Sequence, residues 1–187
     1  WGATQRNLKR WSDIPAVPID AFKELDLRCE APAATDRVFM TSGTTRSEVK
    51  GRHFHPTLAV YDRSMIGNFA QRFMRGHGPM RMGILFPTET VLANSSLAHY
   101  LALAMEAFGT AESRYFMSPQ GLDLPGLCEA LSDAQQRGEP FALLGASYSF
   151  VHLIDELKRR GQSFRLPAGS RVLDTGGYKG QSRDLPL

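Results

Sequence analysis

The chain has 187 residues, 42% of them hydrophobic and 22% charged, which suits about one globular domain with a buried core. Its formal net charge is only +3, and its Lys and Arg residues are scattered rather than striped, which excludes a nucleic-acid reading from charge. No apolar run has the length of a transmembrane helix and no basic-then-apolar leader opens the chain, so the expected setting is cytoplasmic, with no membrane span.

To about Glu30 the chain is punctuated by proline, with Ile14-Pro15-Ala16-Val17-Pro18-Ile19 between charged flanks. Residues before proline are pushed to extended backbone, so this segment reads as an arm leading to a short helix near Ala21–Leu25. Ala31-Pro32-Ala33-Ala34 then reads as a linker. Cys29 and Cys128 have no metal-ligand spacing, and no metal site is expected. A disulfide between them stays open; free buried thiols in a reducing compartment are the simpler reading.

Val38-Phe39-Met40 reads as a strand, and it delivers Thr41-Ser42-Gly43-Thr44-Thr45. Hydroxyls packed around a glycine suit a turn whose N–H and O–H groups converge on an oxyanion, and Lys50, Arg52, His53 and His55 follow to add attraction. Read as strand, small-hydroxyl loop and helix, this order predicts a nucleotide phosphate site. It is not a Walker A loop, because Lys50 is followed by Gly51 and Arg52 rather than by Ser or Thr. The plainer alternative is a Ser/Thr-rich surface turn.

Downstream, strands and helices alternate. A helix from Pro56 to about Arg75 carries Tyr61, Met65, Phe69 and Phe73 as an apolar stripe, which reads as core rather than as an acyl tunnel. Met82–Phe86 is a strand, and Ser95 or Ser96 caps a helix bearing Leu97, Leu101, Met105 and Phe108. Arg114–Met117 is a strand, and a helix starting near Asp123 carries Leu127, Leu131 and Ala134. Cys128 lies on its apolar face and reads as packed. Phe141–Gly145 is a strand, Ser147 caps a helix with Val151, Ile154 and Leu157, and Arg171–Asp174 is the last strand.

This alternation predicts an α/β fold, a mostly parallel sheet with helices on both faces. Ligands of such sheets sit beyond the carboxyl ends of the strands, which places Thr41–Thr45, Pro87–Glu89, Gly145–Tyr148 and Thr175–Gly177 on one rim. The expected division is residues 1–35, an extended arm and linker, and residues 36–187, an α/β nucleotide-binding subdomain.

Thr41-Ser42-Gly43-Thr44-Thr45, with Lys50-Gly51 and His53 after it, resembles the phosphate loop of adenylate-forming enzymes. The chain as a whole is similar to the acyl-protein synthetase (LuxE-like) family of that superfamily, over roughly residues 14 to 184. Carrying the likeness are 42–54, Tyr61-Asp62-Arg63-Ser64, Asn94-Ser95-Ser96-Leu97, Leu143-Leu144-Gly145 and Asp174-Thr175-Gly176-Gly177-Tyr178-Lys179-Gly180. Two departures stand out. Arg46 takes the place of the family's usual loop glycine, and neither cysteine matches the family's acyl acceptor near its C-terminus. The superfamily's adenine, ribose and catalytic-lysine motifs have no counterpart, and the chain opens on Trp1 rather than Met. The likeness is thus to the N-terminal part of the large domain, a fragment expected not to complete the reaction alone.

The resemblance implies activation of a fatty or related carboxylic acid by ATP with Mg, and passage of the acyl group to a protein thiol, with acyl-transfer proteins as partners. It implies that Ser42, Gly43, Thr44 and Thr45, beside Thr41, cradle the β- and γ-phosphates. Lys50 is the candidate distal cation, and a solvated surface lysine is the alternative. His53 and His55 orient substrate or phosphate, or stand at the edge of an element. Gly176 and Gly177 allow close approach of adenine or the acyl chain, or make a tight strand-end turn; Lys179 beside them faces a phosphate or carboxylate. No catalytic residue is singled out. A ligase of the aryl or phenylacetate type passing its product to coenzyme A, and a non-catalytic interaction module on the same scaffold, are the competing expectations.

Overall fold

A computed structural model describes residues 8–28, 31, 33, 37–41 and 50–176. The chain divides into two compact units, Trp1–Pro56 and Thr57–Leu187.

In the first unit a 3-10 turn, Trp11–Asp13, precedes the single helical turn α1, Ala21–Glu24. Strands β1, Arg37–Met40, and β2, Arg52–His55, pair antiparallel in the register Arg37↔His55 to Met40↔Arg52. The expected order of strand, loop and helix is therefore corrected to strand, connection and strand. The reason lies in β2, whose sequence Arg-His-Phe-His has no aliphatic run yet packs through its rings. His53 stacks on Phe22 with centroids 4.7 Å apart, His55 tilts against Phe39 at 5.3 Å, and the Arg28 guanidinium lies 3.6 Å above the Phe54 ring.

In the second unit α2, Ala59–Phe69, runs on into a π-helical turn, Ala70–Met74. It starts three residues after Pro56, where the Thr57 hydroxyl accepts the Ala59 N–H at 3.2 Å. Then follow β3, Arg81–Leu85; α3, Ser96–Phe108; β4, Arg114–Tyr115; the two-residue pair β5, Met117–Ser118, and β6, Gly121–Leu122; α4, Leu124–Arg137; β7, Phe141–Gly145; α5, Ser147–Arg160; and β8, Arg171–Asp174. The strand expected over Arg114–Met117 is split because Phe116 is buried at the junction and its N–H reaches back to the Ile84 carbonyl at 2.8 Å.

Strands β4-β3-β7-β8 form one four-stranded sheet, parallel throughout. Its strands alternate faces, as a period of two requires. Met82, Ile84, Ala142 and Leu144 are buried with Met65, Phe69, Leu101 and Ala104 of α2 and α3. Leu85, Phe141 and Leu143 are buried on the other face with Leu127, Leu131 and Leu153 of α4 and α5. The fold of this unit is thus α/β, a parallel sheet flanked by helices, and the stripe of Met65 and Phe69 is core.

β1 is not a strand of this sheet. The expectation that Thr41–Thr45 follows one of its strands is corrected accordingly, since β1 finds its partner nearby in sequence. The chain leaves β3 toward β4, then returns past β3 to β7 and moves outward to β8. This reversal makes a topological switch point between the carboxyl ends of β3 and β7. Among the described residues no helix is long and apolar enough to cross a membrane.

Candidate functional site

Two places hold the residues singled out by the sequence. In the first unit, Thr41 and Gly51 close the connection between β1 and β2 with a double hydrogen bond. The Thr41 N–H donates to the Gly51 carbonyl at 2.9 Å, and the Gly51 N–H donates to Thr41 Oγ1 at 2.9 Å. Gly51 is buried, and a Cβ there would meet Thr41 Cγ2 at 3.2 Å, so a side chain would push the two ends apart. Lys50, next to this clasp, is exposed. The clasp therefore brings Thr41 and Lys50 to one end of the hairpin. Since Thr41 Oγ1 accepts from Gly51, its own O–H remains a donor, and with the Lys50 ammonium it offers the chemistry a phosphate group takes.

His53 is not at the clasp. It lies on β2 opposite Phe39, half-buried, with its ring face given to Phe22. Ser42, Gly43, Thr44 and Thr45 lie outside the described residues, as do Gly177 and Lys179. Gly176 follows β8 in the second unit with φ +74°, a left-handed turn that suits glycine, and its N–H donates to Asp174 Oδ1 at 2.9 Å.

In the second unit the carboxyl edge of the sheet gathers the loops after β3, β7 and β8. The Ser147 hydroxyl donates to both oxygens of Asp174, at 2.8 and 3.0 Å, instead of capping α5 as expected. The residue before α5 is Ala146, which has no side chain able to cap, so the Asp174 carboxylate supplies the negative charge that a helix start favours. Beside β3, His99 is buried in the first turn of α3 and held between two carboxylates. Nδ1 lies 3.0 Å from Glu89 Oε1, and Nε2 lies 2.8 Å from Asp62 Oδ1. The Tyr61 hydroxyl donates to the Ser96 carbonyl at 3.2 Å, and its ring lies 5.7 Å from the imidazole. Burial raises the Tyr61 phenol, with Tyr100 and Asp62 adding to the effect; burial also raises Tyr115, helped by the charge of Glu89.

Sequence reasoning placed Glu89 on the rim beyond the carboxyl ends of the strands and passed over His99. The available signal was a histidine inside the apolar run Leu97-Ala98-His99-Tyr100-Leu101, since a buried polar ring needs partners.

A groove of about 700 Å³ lies at the opposite edge of the sheet, lined by Arg81, Glu112, Asp133 and Arg137 among others. Several of its charges pair with one another: Arg81 reaches Asp133 at 2.5 Å and Glu112 at 3.2 Å, and Arg137 reaches Asp133 at 2.9 Å, while the buried Arg81 Nε has no hydrogen-bond partner among the described residues. Hydrogen bonding from Arg81, with the charge of Arg137, holds the Asp133 carboxyl below its ordinary value. Volume there reflects a surface ion-pair network, so the chemistry-bearing groups are better sought at the carboxyl edge and at the hairpin clasp. Cys128 carries a free thiol, raised by burial and half-buried beside Gln162. Among the described residues no group of three or more His, Cys, Asp or Glu side chains is arranged to hold a metal ion. Set against protein-family models, curated proteins and solved structures, the chain has no match.

Proposed function

We propose that the chain serves the nucleotide-binding part of an ATP-dependent, adenylate-forming acyl-protein synthetase acting on a fatty or related carboxylic acid. The observation that carries this reading is the Thr41–Gly51 clasp, which closes the hydroxyl-rich connection and sets Thr41 and Lys50 at its mouth. The doubly wound sheet of the second unit is compatible with a nucleotide-binding enzyme.

In this reading ATP supplies the leaving pyrophosphate, and the substrate carboxylate attacks the α-phosphorus. The residues' part is positioning and charge neutralisation. Thr41 donates its O–H, Ser42, Gly43, Thr44 and Thr45 cradle the phosphates, and Lys50 neutralises the distal one. Magnesium keeps several waters and is carried largely by phosphate oxygens, so it asks for few protein ligands. Calorimetric titration of ATP with magnesium into the chain, beside Thr44→Ala/Thr45→Ala, tests the proposal. Binding that is lost in the variant supports it, and equal binding by both chains refutes the assignment of the loop.

A further inference from the structure

We propose that the proline-punctuated arm of the first unit docks in an SH3-type groove of a partner protein, lined by aromatic rings and rimmed by carboxylates. The segment Ile14-Pro15-Ala16-Val17-Pro18 sets an apolar residue before each of two prolines. Proline fixes its own φ near about −65° and pushes the residue before it to extended backbone. Ile14 takes φ −71° and ψ 121°, close to the polyproline II values of about −75° and about +145°. In that helix, with about three residues per turn, Ile14 and Val17 share one edge and Pro15 and Pro18 the next. This is the double ridge that aromatic-lined grooves take up.

The ridge is open. Trp11, Ile14, Val17 and Ile19 are 87, 60, 55 and 73% exposed, a run of apolar surface that marks an interaction site. At the start of the arm the Asp13 carboxylate accepts the backbone N–H groups of Lys9 and Arg10, at 3.0 and 2.9 Å. Their side-chain cations are left exposed beside Trp11. At the far end the Ala21 N–H closes a turn on the Pro18 carbonyl at 2.9 Å, and Lys23 pairs with Asp20 at 2.9 Å. Positive charge is therefore concentrated at the start of the ridge, which suits a groove with carboxylates at that end.

Two other occupants fit less well. A sheet edge pairs with alternate residues of an added strand, and Pro15 and Pro18, an odd number of residues apart, remove a donor from each edge. Neither edge of the arm can then run an unbroken ladder on another copy of the chain. Among the described residues the Ala16 and Val17 N–H groups have no backbone partner, and bilayer hydrocarbon would leave them unsatisfied. A polyproline groove takes such a backbone as it is, without internal hydrogen bonds. The inference goes beyond the nucleotide reading and does not rest on it, and its test contains no nucleotide.

The test is NMR titration of the full chain with an isolated SH3 domain whose groove has an acidic rim, at low and at high salt. Saturable amide shifts are expected over residues 9–19, with affinity weakened about tenfold or more in Pro15→Ala/Pro18→Ala. Lys9→Glu/Arg10→Glu is expected to weaken binding at low salt and to remove most of its salt dependence. No saturable shift over the arm, or equal binding by the proline variant, overturns the proposal. So does sedimentation of the unaltered chain with phosphatidylglycerol vesicles that is lost in Trp11→Ser/Ile14→Ser, which would make the arm a lipid anchor. Self-association lost in that same variant overturns it as well, by making a second copy the partner.

Discussion

The Ser147 hydroxyl is shared between the two carboxylate oxygens of Asp174, which ties the first residue of α5 to the last residue of β8. Asp174 also accepts the Gly176 N–H, so one side chain organises a strand end, a helix start and a turn. Asp174→Ala is expected to cost about 1 to 2 kcal/mol, through the lost charge-assisted bonds and the lost charge at the helix start. Ser147→Ala is expected to cost about 1 kcal/mol. Urea unfolding followed by far-ultraviolet circular dichroism reads both; unchanged midpoints contradict the pairing.

Gly145 stands where β7 meets β3 at the switch point. A Cβ there would lie 2.8 Å from the Leu85 carbonyl oxygen, which is backbone and has no rotamer to give. Gly145→Ala is therefore expected to destabilise the second unit by about 1 to 3 kcal/mol. The same unfolding measurement decides, and a neutral substitution contradicts the close approach.

On α5, Glu156 is held by Arg159 and Arg160 one turn on, and their hydrogen bonds lower its carboxyl from 4.5 to about 2. With the folded value below the unfolded one, the small stabilisation is present above the ordinary value of 4.5 and is lost as pH falls through about 2. The pair is open to solvent, so screening keeps its effect on stability slight. Carbon NMR titration is expected to find the low midpoint in the wild type and a value returned toward 4.5 in Arg159→Ala/Arg160→Ala. An ordinary midpoint in the unaltered chain contradicts it.

The clasp of the hairpin makes its own prediction. Thr41→Val keeps the shape of the side chain but removes the acceptor for the Gly51 N–H. Exchange of that amide is expected to quicken by roughly tenfold, since a lost hydrogen bond of this kind is worth about 1 kcal/mol or somewhat more. Unaltered exchange places the closing interaction elsewhere.

What the sequence made legible follows from what each element is built on. Ser95 and Asp123 start their helices as read, accepting from Ala98 and Gly126 N–H groups. The runs Phe141–Gly145 and Arg171–Asp174 are strands as read. Periodicity and caps are local signals, so these elements show in the chain itself. β2 does not, because Arg-His-Phe-His owes its pairing to Phe22, Arg28 and Phe39, which no local pattern reveals. Ser147 has the composition of a cap but meets a carboxylate 27 residues away. His99 joins Asp62, 37 residues earlier, to Glu89, and only the return of β3 between α2 and α3 puts them side by side.

The most direct test of the nucleotide reading is an amide NMR map of the chain as ATP with magnesium is added. The account predicts shifts concentrated at Thr41, Ser42, Gly43, Thr44, Thr45, Lys50 and Gly51, and their loss in Thr44→Ala/Thr45→Ala. Saturable shifts confined to other residues, with the hairpin silent, would contradict it.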